Sequence, residues 1–116
     1  MDSIVIIDGS RTPIGSFGGK LATLTASELG AIAITGLLKR AGVAPEQVGE
    51  VIMGNVLSAG MGQAPARQAA LKSGLPDTTI ATTVNKVCAS GMKAVMMAAN
   101  QIRTGESDVV VAGGME

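Results

Sequence analysis

Apolar positions along the chain alternate between short aliphatic or β-branched runs and longer stretches with a helical period. The runs lie at residues 4–7, 51–53, 80–84 and 109–112. They predict four β-strands, and we expect the second to continue to residue 57. The first and last runs have no polar alternation, which is typical of strands covered on both faces.

Three helical segments separate the predicted strands. Thr25 and Glu28 have the spacing of a capping box, and Gly42 suits the end of the same helix. A proline at the start of residues 65–72 predicts a short second helix, and residues 87–105 carry the period of a third. The order β-α-β-α-β-α-β predicts an α/β fold, a mostly parallel sheet with helices on both faces.

Large apolar side chains predict which helix faces are buried. One face of the first predicted helix carries Leu29, Ile32, Ala33 and Leu37. The helical period of the third consists of Met92, Val95, Met96, Ala99 and Ile102. We expect both faces to pack on the sheet. A methionine cluster at helical spacing more often fills a core than forms a binding surface.

Two glycine-rich segments, residues 8–20 and 59–63, raise the question of phosphate binding. A P-loop would need glycine in place of Ile14 and serine or threonine in place of Leu21. The dinucleotide pattern fails at Pro65, where its third glycine should stand. Turns that need unusual backbone angles are therefore the favoured interpretation.

Composition excludes several classes of function. The 116 residues carry 9 basic and 9 acidic side chains, no histidine, one phenylalanine and one cysteine. Zero net charge and few aromatic rings argue against nucleic-acid partners. One cysteine without histidine leaves no intramolecular disulfide and no zinc site, so we expect no metal.

Hydropathy and targeting patterns bear on location. No apolar run approaches the length of a membrane span, so we expect no membrane partner. Neither a signal peptide nor a transit peptide pattern is visible. The sequence predicts a cytoplasmic protein, with an organelle as the open alternative.

Cys88 is the principal candidate for chemistry, because it lies where a predicted strand turns directly into a helix. The positive end of a helix dipole favours a thiolate, and free N–H groups there can stabilise an oxyanion. The opposing interpretation is a buried, inert cysteine. Ser90 is a weaker nucleophile candidate, since it lacks a Gly-x-Ser-x-Gly frame. Lys86 and Lys93 would attract an anionic substrate, although solvated lysines are common.

Four parts of the sequence resemble the thiolase family, and they occur in the order found there. They are residues 11–19, residues 53–56 with 62–68, residues 85–94 and residues 111–116. The resemblance is continuous over residues 1–116. Residues 85–94 are similar to the acyl-enzyme motif. The form Cys-Ala-Ser-Gly-Met is more similar to the acetoacetyl-CoA thiolases (acetyl-CoA C-acetyltransferases) than to the broad-chain degradative enzymes.

The resemblance implies an acyltransferase with Cys88 as its catalytic residue. Cys88 would accept an acetyl group from acetyl-CoA, and a second acetyl-CoA would attack it to give acetoacetyl-CoA and CoA; thiolysis is the reverse. The backbone N–H of Cys88 is the implied oxyanion donor. Coenzyme A thioesters are then substrates, and no resident cofactor or cofactor-binding residue is implied.

The resemblance also implies that residues 1–116 are a partial thiolase N-terminal domain. In the family the base for the nucleophile, a second cysteine and most of the CoA-binding loop lie in the C-terminal half of a much longer chain. The family fold has two βαβαβαββ halves, of which this would be the first without its last helix and strand. We therefore expect the 116 residues alone to be inactive, and a homodimer or homotetramer in the full-length protein, with residues 62–67 near the dimer contact.

Two alternatives remain open at the level of sequence. One is a non-catalytic, truncated thiolase-like interaction module, favoured by an apolar strand that lies close to residue 116 and invites a partner. The other is a relative of the ketoacyl synthases, which also use a cysteine at a strand-to-helix turn. The residues that flank Cys88 argue against the second.

Overall fold

A parallel three-stranded sheet with helices on both faces forms the centre of the molecule. The structure, a computed structural model, describes residues 3–116. Its elements in chain order are α1 (Ala26–Ala41), a 3₁₀ turn (Pro45–Gln47), β1 (Glu50–Gly54), α2 (Pro65–Lys72), β2 (Ile80–Val84), α3 (Ser90–Thr104) and β3 (Val110–Gly114). The strand order is β2-β1-β3, and both pairings are parallel. The predicted α/β class is confirmed.

Alternate side chains of the central strand point into two separate cores. Val51 and Met53 belong to the larger core, which lies between the sheet and helices α1 and α2. Ile52, between them in sequence, packs on the opposite face against Ala94 and Ala98 of α3. This two-residue period is that of a pleated strand. It explains why β1 is buried along its whole length and confirms helices on both faces.

The capping box predicted for α1 is present. The Thr25 hydroxyl accepts a hydrogen bond from the Glu28 N–H (3.2 Å), and the Glu28 carboxylate accepts one from the Thr25 N–H (2.7 Å). Gly42 ends the helix in the left-handed conformation, with φ +65°. The backbone N–H of Thr25, then its side chain and the more distant charge of Lys72, lower the pKa of Glu28 below its ordinary value.

Glu28→Gln is expected to show a pH-dependent loss of stability. Because the pKa of Glu28 is lowered on folding, its charge stabilises the fold above the unfolded value, about 4.3, and this stabilisation is lost as the pH falls through the folded pKa. The variant should have a lower urea midpoint than the wild type at pH 7, and the two midpoints should converge in acid. Glu46→Gln is the control, because the exposed Glu46 side chain makes no hydrogen bond or ion pair within residues 3–116. A constant gap between Glu28→Gln and the wild type would contradict the assignment.

The predicted first strand, residues 4–7, is wrong. Val5, Ile6 and Ile7 belong to no strand or helix, and their exposed fractions are 68%, 84% and 63%. Because β1 pairs with β2 on one side and β3 on the other, no free edge remains at the centre of the sheet. The segment instead lines a cavity of about 290 Å³ beside α1, α3 and β3.

The predicted buried faces of α1 and α3 are only partly correct. Leu37 packs against the larger core and Ile102 is half-buried. Ile32, Met92 and Met96 are more than half exposed. The residues that are buried are mostly small, namely Ser27, Gly30, Ala31, Ile34 and Leu38 of α1 and Ser90, Ala94 and Ala98 of α3. Small side chains let a helix backbone approach a neighbouring element closely, so close packing of α1 on α2 and of α3 on the sheet has prevailed over burial of the largest side chains.

The segment after β1 also differs from its prediction. The strand ends at Gly54 rather than at residue 57, because the backbone N–H groups of Val56 and Leu57 donate to the Glu116 carboxylate (3.0 and 2.6 Å) instead of to a neighbouring strand. Gly60 and Gly62 in the following loop have φ of +76° and +79°. The interpretation of this glycine-rich segment as turns is therefore confirmed.

Candidate active site

The carboxyl ends of the three strands meet at one edge of the sheet, where open parallel sheets place their ligand sites. Hydrogen bonds join these ends. Asn55 donates its backbone N–H to the Val84 carbonyl (3.0 Å) and its side-chain amide to the Met115 carbonyl (3.2 Å). The Met115 N–H donates to the Gly54 carbonyl (2.9 Å). These bonds fix the end of β2, where the loop to α3 begins.

Cys88 lies in that loop, two residues before α3, and it is exposed. The whole connection, residues 85–89, is exposed as well. Within residues 3–116 Cys88 is therefore not buried, and its reactivity stays a prediction. Cys88 precedes the first turn of a 15-residue helix, the end of a helix that carries partial positive charge.

The backbone before Cys88 has an unusual conformation. Val87 has φ +50°, in the left-handed region, which a β-branched residue rarely adopts. The chain then turns tightly, since the Ala89 N–H donates to the Lys86 carbonyl (3.1 Å) and the Ser90 N–H to the Val87 carbonyl (3.1 Å). A strained residue next to a candidate nucleophile is typical of functional loops.

Ser90, the competing nucleophile candidate, is not available for attack. Its side chain is 5% exposed, and its hydroxyl donates to the Val87 carbonyl (2.6 Å) while it accepts from the Lys86 N–H (2.8 Å). Its neighbour across the sheet edge is Gly54. A Cβ atom at that glycine would lie 2.7 Å from both the carbonyl carbon and the Cβ of Ser90.

Charged groups near Cys88 are few. Lys86 is exposed and Lys93 is half-buried, and within residues 3–116 neither pairs with a carboxylate. The same described region contains no cluster of His, Cys, Asp and Glu side chains able to hold a metal ion. It also has no helix long and apolar enough to cross a membrane.

Polar side chains of the motif at residues 62–68 hold neighbouring loops in place. Arg67 donates to the carbonyls of Thr79 and Asp77 (3.0 and 2.9 Å), which ties α2 to the start of β2. The Gln68 amide donates to the carbonyls of Met61 and Gln63 (2.7 and 2.8 Å). These polar side chains therefore hold the loops on either side of α2.

Comparison with known proteins identifies the family to which this chain belongs. Residues 4–116 match the profile of the family described as "Thiolase, N-terminal domain". This chain belongs to the thiolase family. The resemblance inferred from the sequence is thereby confirmed, and the ketoacyl-synthase alternative is set aside.

Several relatives of this thiolase chain carry the name acetyl-CoA acetyltransferase, as the form of the Cys88 motif predicts. The protein of Cupriavidus necator is 60% identical over 116 residues, which are all of this chain and 30% of that protein. "Acetyl-CoA acetyltransferase ERG10, cytosolic" of Gibberella zeae is 60% identical over 113 residues, 97% of this chain and 28% of the relative. "Acetyl-CoA acetyltransferase, mitochondrial" of Danio rerio is 59% identical over all 116 residues and 28% of its own length. The chain thus spans less than a third of these relatives.

Two residues of this thiolase site have roles that the sequence pattern does not predict. The pattern makes Ser90 a candidate nucleophile, whereas its hydroxyl in fact bonds the backbone on both sides of Val87. The same pattern places Gly54 inside a strand that continues to residue 57. In the structure this glycine is the last residue of β1 and lies against Ser90. The available signal, a glycine inside an apolar strand, is the recognised mark of close backbone approach.

Proposed function

We propose that this chain carries the nucleophile of an acetyl-CoA acetyltransferase, and that Cys88 is that nucleophile. The observation that carries the proposal is the exposed thiol at the start of α3, inside a segment that matches the thiolase N-terminal domain. The names of the relatives support acetyl-CoA as the substrate.

The proposed reaction has two steps. The base takes the proton of the Cys88 thiol, the thiolate attacks the carbonyl carbon of acetyl-CoA, and the bond from that carbon to the CoA sulfur breaks. The departing CoA thiolate takes that proton from the base. A second acetyl-CoA then loses an α-proton, and its carbanion attacks the acetyl-Cys88 carbonyl. A carbon–carbon bond forms, acetoacetyl-CoA is released, and the Cys88 thiolate is regenerated. The Cys88 N–H is the proposed donor to the oxyanion.

Other parts of the reaction are assigned by the family rather than by this chain. Residues 1–116 contain no histidine and no second cysteine, so the proposal places the base and the α-proton acceptor outside these positions. Lys86 and Lys93, which have no carboxylate partner within residues 3–116, would favour the phosphates of a CoA thioester. We propose a homodimer or homotetramer that needs no resident cofactor. The cytoplasmic location stays a prediction.

Trapping the acyl-enzyme tests the proposal. The protein as its gene encodes it is mixed with acetyl-CoA, quenched in acid during turnover and digested, and the peptide that contains Cys88 is analysed by mass spectrometry. We expect one added acetyl group on Cys88 and its loss when CoA is added before the quench. An unmodified Cys88 peptide from an active preparation would contradict the assignment, and a preparation with neither acetylation nor thiolysis would favour the interaction module.

A further inference from the structure

We infer that Ser90 is a positioning residue for Cys88: its buried hydroxyl holds Val87 in the left-handed conformation that aims the thiol. The inference rests on the proposed function, because it assigns Ser90 a part in the acetyl transfer to Cys88. It gives Ser90 no contact with substrate. Its action passes entirely through the backbone of residues 86–88.

The loop needs such a support. A left-handed conformation is strained for a β-branched residue, because its Cβ crowds the backbone carbonyl. Val87 nevertheless adopts φ +50°, and its side chain is 66% exposed. Since most of the residue is exposed, the conformation is held mainly through hydrogen bonds to its backbone. The Val87 N–H donates to the Asn85 side chain (3.0 Å), and the Val87 carbonyl accepts from the Ser90 hydroxyl.

The Ser90 hydroxyl bonds the backbone on both sides of Val87. It accepts from the Lys86 N–H at 2.8 Å and donates to the Val87 carbonyl at 2.6 Å. One oxygen therefore fixes the chain before Val87 and the peptide group after it. The latter is the peptide that joins Val87 to Cys88, and its orientation determines the direction in which Cys88 leaves the loop.

The hydroxyl itself is fixed by its surroundings. Ser90 is the first residue of α3 and is 5% exposed. Gly54, at the end of β1, lies so close to Ser90 that a Cβ atom on this glycine would be 2.7 Å from the Ser90 Cβ. The residue before the helix, Ala89, makes no side-chain cap. Both hydrogen bonds of the Ser90 hydroxyl go to the loop that carries Cys88.

Ser90→Ala tests the inference, with Ser73→Ala as a matched control. Ser73 also donates its hydroxyl to a carbonyl three residues earlier, that of Ala70 at 2.7 Å, but it lies at the end of α2. Single-turnover acetylation of Cys88 by acetyl-CoA is measured in the protein as its gene encodes it. Ser90→Ala should lower the maximal acetylation rate about tenfold or more, because a misplaced nucleophile loses its attack geometry. Ser73→Ala should keep the wild-type rate, and the half-saturating acetyl-CoA concentration should stay unchanged in both.

Rescue separates positioning from a purely structural role. Glycine adopts the left-handed conformation without strain, so Val87→Gly combined with Ser90→Ala should regain a large part of the lost rate. A wild-type rate in Ser90→Ala, or a double variant no faster than Ser90→Ala, would overturn the inference.

A crystal structure of Ser90→Ala supplies a readout that does not depend on turnover. Val87 should leave positive φ and the Cys88 sulfur should be displaced; an unchanged loop would overturn the inference. If the wild type is not acetylated at all, the proposed function fails, while the loop geometry of the variant still decides whether Ser90 positions Cys88.

Discussion

Cys88→Ala, made in the protein as its gene encodes it, should lower both condensation and thiolysis at least about 1,000-fold, the scale on which loss of a nucleophile acts. No acetyl group should appear on any other residue. The competing candidate nucleophile in this loop, Ser90, is buried and bonded on both sides. The measurement is steady-state turnover together with the mass of the trapped peptide.

The fold should survive this substitution. Cys88 is exposed, so its removal leaves no cavity, and the thermal midpoint of Cys88→Ala should match that of the wild type. Cys88→Ser, which keeps the shape of the side chain, should be as inactive as Cys88→Ala, because a hydroxyl keeps its proton near neutral pH. Substantial turnover by either variant at an unchanged midpoint would rule out Cys88 as the nucleophile.

Local signals predict the elements whose ends they determine. The ends of α1 follow from Thr25, Glu28 and Gly42, which act on backbone groups within one turn of helix. Pro65 sets the start of α2 in the same way. The position of Cys88 between β2 and α3 also follows from neighbouring residues. For this reason the sequence alone is enough to single out the candidate nucleophile.

Contacts between distant segments determine what the sequence could not predict. Residues 4–7 are as apolar as a buried strand, but pairing of β1 with β3 takes the central edge of the sheet. The buried face of α1 depends on how closely this helix approaches α2, which Gly30 permits, and that of α3 on how closely it approaches the sheet, which Ala94 permits. The left-handed Val87 depends on Ser90, and Ser90 in turn on Gly54, 36 positions earlier. Hydrophobic periodicity carries no information about that chain of contacts.

Gly54→Ala should disturb both stability and chemistry through this last contact. A Cβ atom there would lie 2.7 Å from the carbonyl carbon and Cβ of Ser90 and 2.9 Å from the Gly91 nitrogen. These are backbone or near-backbone atoms that cannot rotate away, so β1 or the start of α3 has to move. We expect a loss of about 1–3 kcal/mol in unfolding free energy. The rate of Cys88 acetylation should fall as well, because the displaced helix start carries the Ser90 hydroxyl.

Gly114→Ala is the matched control, since Gly114 pairs with Gly54 across the same edge of the sheet. A Cβ atom at Gly114 would meet nothing closer than 3.4 Å, an ordinary van der Waals contact, so this variant should keep the unfolding midpoint and acetylation rate of the wild type. Urea unfolding and single-turnover acetylation measured on both variants separate crowding of Ser90 from a general intolerance of side chains at this edge. Equal losses in the two variants would show that contact with Ser90 is not the reason for glycine at position 54.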